Sequence, residues 1–167
     1  MYKFEKYNPE KRSALLNEIL KYFDIRELVS PMVYKIYGNR AWRFFDTEAL
    51  EVLLWIRIKL NKAITINNWH YGGSLSQRGL RTNLGSIFKK MFERGRLYLS
   101  GHIFGKAFDF DVEGMTAEEV RDWIWKNQKT LPHKVRLEWK KNGKPITWVH
   151  MDMMSEPILP KVYKFNV

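Results

Sequence analysis

Ser100-Gly-His102-Ile-Phe-Gly105-Lys-Ala107-Phe-Asp109-Phe-Asp111 is the stretch from which the rest of the chain can be read. From Ala107 onward the apolar positions recur with period two, the signature of a strand buried on one face. Phe108 and Phe110 then face the core, while Ala107, Asp109 and Asp111 share the opposite face. Ala107 leaves room beside the two carboxylates, and Gly105 lets the backbone turn so that His102 reaches back toward them. The chain has no cysteine, so any metal must be held by His, Asp or Glu. Imidazole and carboxylate meeting in this way suit zinc.

Working outward, Trp148-Val-His150-Met-Asp152 repeats the pattern. His150 and Asp152 share one face, with Val149 and Met151 on the other, so His150 is a candidate third ligand. His70 and His133 carry no such pattern and are read as ordinary surface or core histidines. Lys141-Asn-Gly-Lys144 between the apolar segments 135–139 and 146–151 signals a hairpin with an Asn-Gly turn. A two-residue turn sets Glu138 opposite Thr147; a three-residue turn sets it opposite Trp148, on the face of His150. Residues 63–67 read as a further short strand and 71–74 as a loop.

The N-terminal part reads as helical. Pro9-Glu10 opens a helix to about Phe23, with Leu15, Leu16, Ile19, Leu20 and Phe23 at helical spacing. Asp24 caps a short helix through Leu28, and Pro31 interrupts or restarts it. Asp46 caps a stronger helix to about Asn61 whose apolar positions are Leu50, Leu53, Leu54 and Ile58. Residues 84–94 are helical, and Thr116-Ala-Glu-Glu119 is a capping box opening a helix that turns Val120, Trp123 and Ile124 inward. Helices first and strands later predict an α+β fold, a small antiparallel sheet with flanking helices. The expected organisation is an N-terminal helical extension over 1–62, packed on a unit of 63–167.

Composition bounds the function. The 167 residues are 45% hydrophobic and 15% aromatic, which fits one globular domain and argues against disorder. The net charge is +11, and residues 52–92 hold seven Lys/Arg with no Asp or Glu. Such a field favours polyanionic partners. Arg57, Lys59, Arg78, Arg81, Lys89 and Lys90 are expected on one electropositive surface bordering the cleft. No helix-turn-helix, zinc-finger or RNA-binding signature accompanies the charge, so no specific nucleic acid is expected. The polar N-terminus lacks a signal-peptide pattern, and no apolar run approaches the roughly 20 residues that span a bilayer. The expectation is synthesis in the cytoplasm without a membrane span, with action on the cell wall after lysis, by export or as part of a virion.

Ser100, His102, Gly105, Ala107 and Asp109 resemble the SxHxxGxAxD signature of the hedgehog-like zinc peptidases. These include D-Ala-D-Ala carboxypeptidases and dipeptidases and phage L-alanyl-D-glutamate endolysins. Trp148-Val-His150-Met-Asp152 is similar to their second motif, and Gln77 to Arg81 to a loop of phage-encoded members. The resemblance spans roughly residues 67–153. It implies a hedgehog/DD-peptidase-like fold, zinc on His102, Asp109 and His150, and peptidoglycan or its stem peptides as partner, with phage particle components also possible. It further implies Arg78, Arg81 and Ser100 as substrate-binding residues, with Arg81 or Arg78 the cation for the substrate carboxylate or oxyanion.

One departure concerns the general base. Many relatives place Glu or Asp three residues before the last ligand, where this chain has Thr147. The candidates to replace it are Glu138, Asp152 and Asp111, with Glu138 favoured; Asp152 is equally suited to orienting a ligand. The rival expectation is a catalytically inactive relative serving as a wall-binding or virion structural module.

Overall fold

A computed structural model describes residues 8–95 and 97–167. Among these the chain forms six α-helices and one five-stranded sheet. The helices are α1 Pro9–Ile19, α2 Ile25–Leu28, α3 Pro31–Tyr37, α4 Thr47–Leu60, α5 Ser86–Glu93 and α6 Ala117–Lys126. The strands are β1 Ile64–Thr65, β2 Ala107–Val112, β3 Val135–Lys141, β4 Lys144–Asp152 and β5 Val162–Asn166, in the order β1-β2-β4-β3-β5. The α+β expectation holds. The sheet, however, is mixed: β5 runs parallel to β3 along the edge, where the hairpin alone had suggested an antiparallel sheet.

Caps set most helix starts. Asn8, Asp24, Ser30, Asp46 and Thr116 each accept a hydrogen bond from a first-turn N–H, satisfying donors that a helix cannot pair internally. Asp24 and Thr116 complete capping boxes with Glu27 and Glu119. Helix α1 stops at Ile19, short of Phe23, and Leu20 is exposed. Ile58, expected on the apolar stripe of α4, is also exposed; that helix buries Ala49, Val52 and Ile56 with its leucines.

One continuous core joins both ends of the chain. Ile19, Leu28, Leu50, Leu53 and Ile56 from the helices meet Phe108, Phe110, Leu137, Val149 and Met151 from the sheet. Phe45 stacks on Phe108 with ring centroids 5.6 Å apart. The sheet is therefore covered on its apolar face, and the polar face of β2, β4 and β3 is left to carry chemistry.

The hairpin contains the least regular pairing. Asn142 and Gly143 both have positive φ, 50° and 77°, as a two-residue type I′ turn requires. Lys141 pairs with Lys144 and Lys140 with Pro145, but Glu138 then pairs with His150. Three additional β4 residues are absorbed by a bulge around Thr147 and Trp148. Both sequence-derived registers for Glu138 are therefore corrected. An odd shift reverses the face a residue presents, and this one puts Glu138 on the face of His150. Arg121, 1% exposed, donates to the carbonyls of Trp148 (3.0 Å) and Ile146 (3.2 Å) on the bulged segment.

Candidate metal centre

Adjacent strands assemble the site row by row. Asp109 on β2 pairs with His150 on β4, which pairs with Glu138 on β3, which pairs with Phe165 on β5. The next row is Ala107, Asp152, Arg136 and Tyr163. His102 approaches from the loop before β2. Its N–H donates to Ser100 Oγ at 3.3 Å, so Ser100 shapes the turn that delivers the imidazole. Gly105, at φ +66°, closes that turn; a Cβ there would lie 2.1 Å from the Phe44 carbonyl oxygen. The Gly105 requirement in the motif is thus steric as well as conformational.

His102, Asp109 and His150 each offer one ligand atom within 4.8 Å of the others. Asp109 Oδ1 is 2.6 Å from His150 Nδ1, and Asp109 Oδ2 is 3.3 Å from His102 Nε2. The His102 separation is close to the about 3.4 Å between ligands of a tetrahedral ion with bonds near 2.1 Å, whereas the shorter His150 separation is a hydrogen bond that an ion would open. The far nitrogens are occupied. His102 Nδ1 lies 3.0 Å from the Gly79 carbonyl oxygen, and His150 Nε2 lies 3.1 Å from Asp152 Oδ2. An Nδ1–H donated to Gly79 leaves the His102 Nε2 lone pair facing Asp109, and the Asp152 contact turns His150 Nδ1 to the same point. The donor set fits a small divalent cation, with zinc suited to its imidazoles.

The electrostatics follow from burial and close pairing. Burial opposes the Asp109 carboxylate, but the His102 and His150 rings set against it, His150 through a hydrogen bond at 2.6 Å, outweigh it and hold Asp109 far below the ordinary carboxylate range. Burial also opposes the His150 cation; the hydrogen bonds to Asp109 and Asp152 reverse this and raise its pKa to about 9. His102 is buried and shifted down, so its neutral form is favoured. Asp152 resists burial through His150 and Arg136 and is lowered.

The remaining sequence-derived residues take distinct places. Arg81 is 10% exposed, with Nη2 3.3 Å from Asp109 Oδ2 and Nη1 donating to Tyr98 Oη at 3.3 Å. Its Nε–H is buried without a partner. Arg78 pairs with Asp111, and its carbonyl accepts from Asp109 N–H at 2.7 Å. Of the cations expected on one electropositive surface, Arg78 and Arg81 are matched by aspartates, and Arg57 lies over the Tyr22 ring. Asp152 is held by both arms of Arg136, at 2.8 and 3.0 Å, and by Met154 N–H at 2.8 Å. Glu138 is half-buried opposite His150, and its carboxylate makes no hydrogen bond or ion pair to any described residue. His133 pairs with Glu51 and Glu48, away from the centre.

Sequence reasoning missed Arg136, Tyr98 and the N-terminal support of the loop. Arg136 lies two residues before Glu138, so strand periodicity alone placed it on the same face. The support was not readable. Leu80 N–H donates to Leu28 O at 2.8 Å and Ser30 N–H to Leu80 O at 2.9 Å. A Cβ on Gly79 would lie 1.9 Å from Leu28 O. The helical N-terminal segment thus fixes the carbonyl that orients His102.

No family model, curated protein or solved structure matches this chain.

Proposed function

We propose that the chain is a zinc peptidase of the hedgehog-like type. Its substrates are peptidoglycan stem peptides, cut at a D-Ala-D-Ala or L-Ala-D-Glu bond. The observation that carries this reading is the convergence of His102, Asp109 and His150 next to an unpaired carboxylate, Glu138, in the same sheet row. These three residues would hold the ion, which supplies Lewis acidity that polarises a carbonyl and makes water acidic near neutral pH.

The chain's own groups divide the remaining work. Glu138 accepts the proton of the attacking water and returns it to the departing amine, the general-base role left open by Thr147. Arg81, whose Nη2 lies beside Asp109, is the cation for the substrate carboxylate or a developing oxyanion. Asp152, gripped by Arg136, holds His150 in orientation. Arg78 neutralises Asp111 and keeps the loop against β2.

Incubating the zinc-loaded chain with purified stem peptides, followed by mass spectrometry, tests the reading. One cleaved peptide bond is expected, with loss of both zinc and cleavage in His102→Ala. A chain that binds zinc yet cleaves no stem peptide under any condition is the inactive wall-binding or virion module instead.

A further inference from the structure

Between Arg81 and Tyr98 the chain makes an excursion whose neck is pinned beside the metal centre. Arg81 N–H donates to His102 O at 3.3 Å, and Arg81 Nη1 to Tyr98 Oη at 3.3 Å. The excursion carries α5, an amphipathic helix that buries none of its described side chains. At 100° per residue, Ile87, Phe88, Met91 and Phe92 project to one side, and Lys89, Lys90 and Glu93 to the rest. Phe88 and Phe92 stack on each other at 6.1 Å rather than on the core. Leu84 is 69%, Phe92 71%, Leu97 82% and Leu99 68% exposed. A patch of this kind on a monomer marks a contact surface.

The charge around the patch selects what covers it. Lys89, Lys90 and Arg94 are exposed and make no ion pair among the described residues. The whole acid-free stretch of 52–92 leads into this helix. A second copy would set two such basic rims together, each on a chain of net charge +11, which like-charge repulsion opposes. Peptidoglycan has no apolar phase to receive phenylalanine and leucine. An anionic bilayer surface satisfies both faces, with acyl chains for the apolar side and headgroups for the cations. No described helix is long and apolar enough to cross a membrane, so the contact lies along the surface.

We infer that α5, with Leu84, Leu97 and Leu99, docks the chain on anionic lipid and holds the metal centre close to a membrane surface. The inference does not depend on which bond, if any, the centre cuts.

The test is co-sedimentation of the full-length chain with vesicles of phosphatidylglycerol and phosphatidylcholine in equal parts, against vesicles of phosphatidylcholine alone. Binding to the anionic vesicles and little to the neutral ones is expected. Lys89→Gln with Lys90→Gln should weaken partitioning about fivefold for each charge removed. Phe92→Glu with Leu97→Glu, at exposed positions that leave the circular dichroism unchanged, should weaken it about tenfold or more. Failure to bind anionic vesicles overturns the inference, as does binding that neither double variant changes. Self-association abolished by Phe92→Glu, without vesicle binding, assigns the face to a second copy and overturns it equally.

Discussion

Two carboxylates flank His150, and their surroundings separate their roles. Asp152 is 2% exposed and saturated by Arg136, His150 and Met154 N–H, so it has little capacity left to take a proton. Glu138 sits in the neighbouring strand opposite His150, and its carboxylate has no partner among the described residues. Glu138→Gln is therefore expected to keep zinc affinity and to lower turnover on stem peptides on the order of 10²–10⁴-fold, the usual contribution of a general base. Asp152→Asn should instead weaken zinc binding roughly 10–100-fold, the typical cost of losing a ligand's orienting partner. Zinc titration beside steady-state kinetics on both variants separates the roles. If Glu138→Gln turns over normally while Asp152→Asn binds zinc normally but is inactive, the two roles are exchanged.

At the level of elements, strand alternation already carried most of the site. It placed Asp109 with Asp111, His150 with Asp152, and the phenylalanines against them, because period two is a property of the residues themselves. What it could not carry was register. The Asn142-Gly143 turn behaves as its residue types dictate, yet Glu138 reaches His150 only through the bulge near Thr147 and Trp148. That bulge depends on Arg121, a residue of a different element that takes up the Ile146 and Trp148 carbonyls. The guanidinium stays buried because Glu118 also pairs with it, at 3.0 Å. Arg121→Met leaves two backbone carbonyls short of a partner and is expected to destabilise the fold by roughly 2–5 kcal/mol. It should also cost turnover beyond that loss, because the strands can slip toward the register in which Glu138 faces Thr147. Denaturant melts and activity of the folded fraction check this; full activity in the folded fraction means that the bulge holds without Arg121.

Across the whole molecule, charge is a global property that the sequence stated correctly in sum but not in placement. Within the +11 total, folding set Arg78 and Arg81 against aspartates far along the chain. Pairing, local as well as long-range, also fixes how stability depends on pH. Asp24, lowered mainly by Arg26, is depressed in the fold. So is Glu51, where His133 and Lys11 outweigh burial, and so is Asp152, where His150 and Arg136 do the same. A depressed carboxylate stabilises the fold in full above its unfolded pKa, near 4, and loses that contribution as pH falls through the folded value. Glu27 works the other way, since burial raises it, but the depressed carboxylates outnumber it. Acidification also adds positive charge to a chain already strongly cationic, and that self-repulsion is screened by salt. The melting temperature is therefore expected to fall steadily below about pH 4. Added salt should restore only part of the fall, because close, partly buried pairs are screened less than exposed charges. Glu51→Gln should lower the melting temperature at neutral pH and flatten its decline in acid, since the amide has no proton to gain. Calorimetry of both proteins at low and high salt reads each of these effects. A wild-type curve that salt makes fully level would assign the acid lability to net charge alone, and a Glu51→Gln curve parallel to the wild type would remove Glu51 from the account.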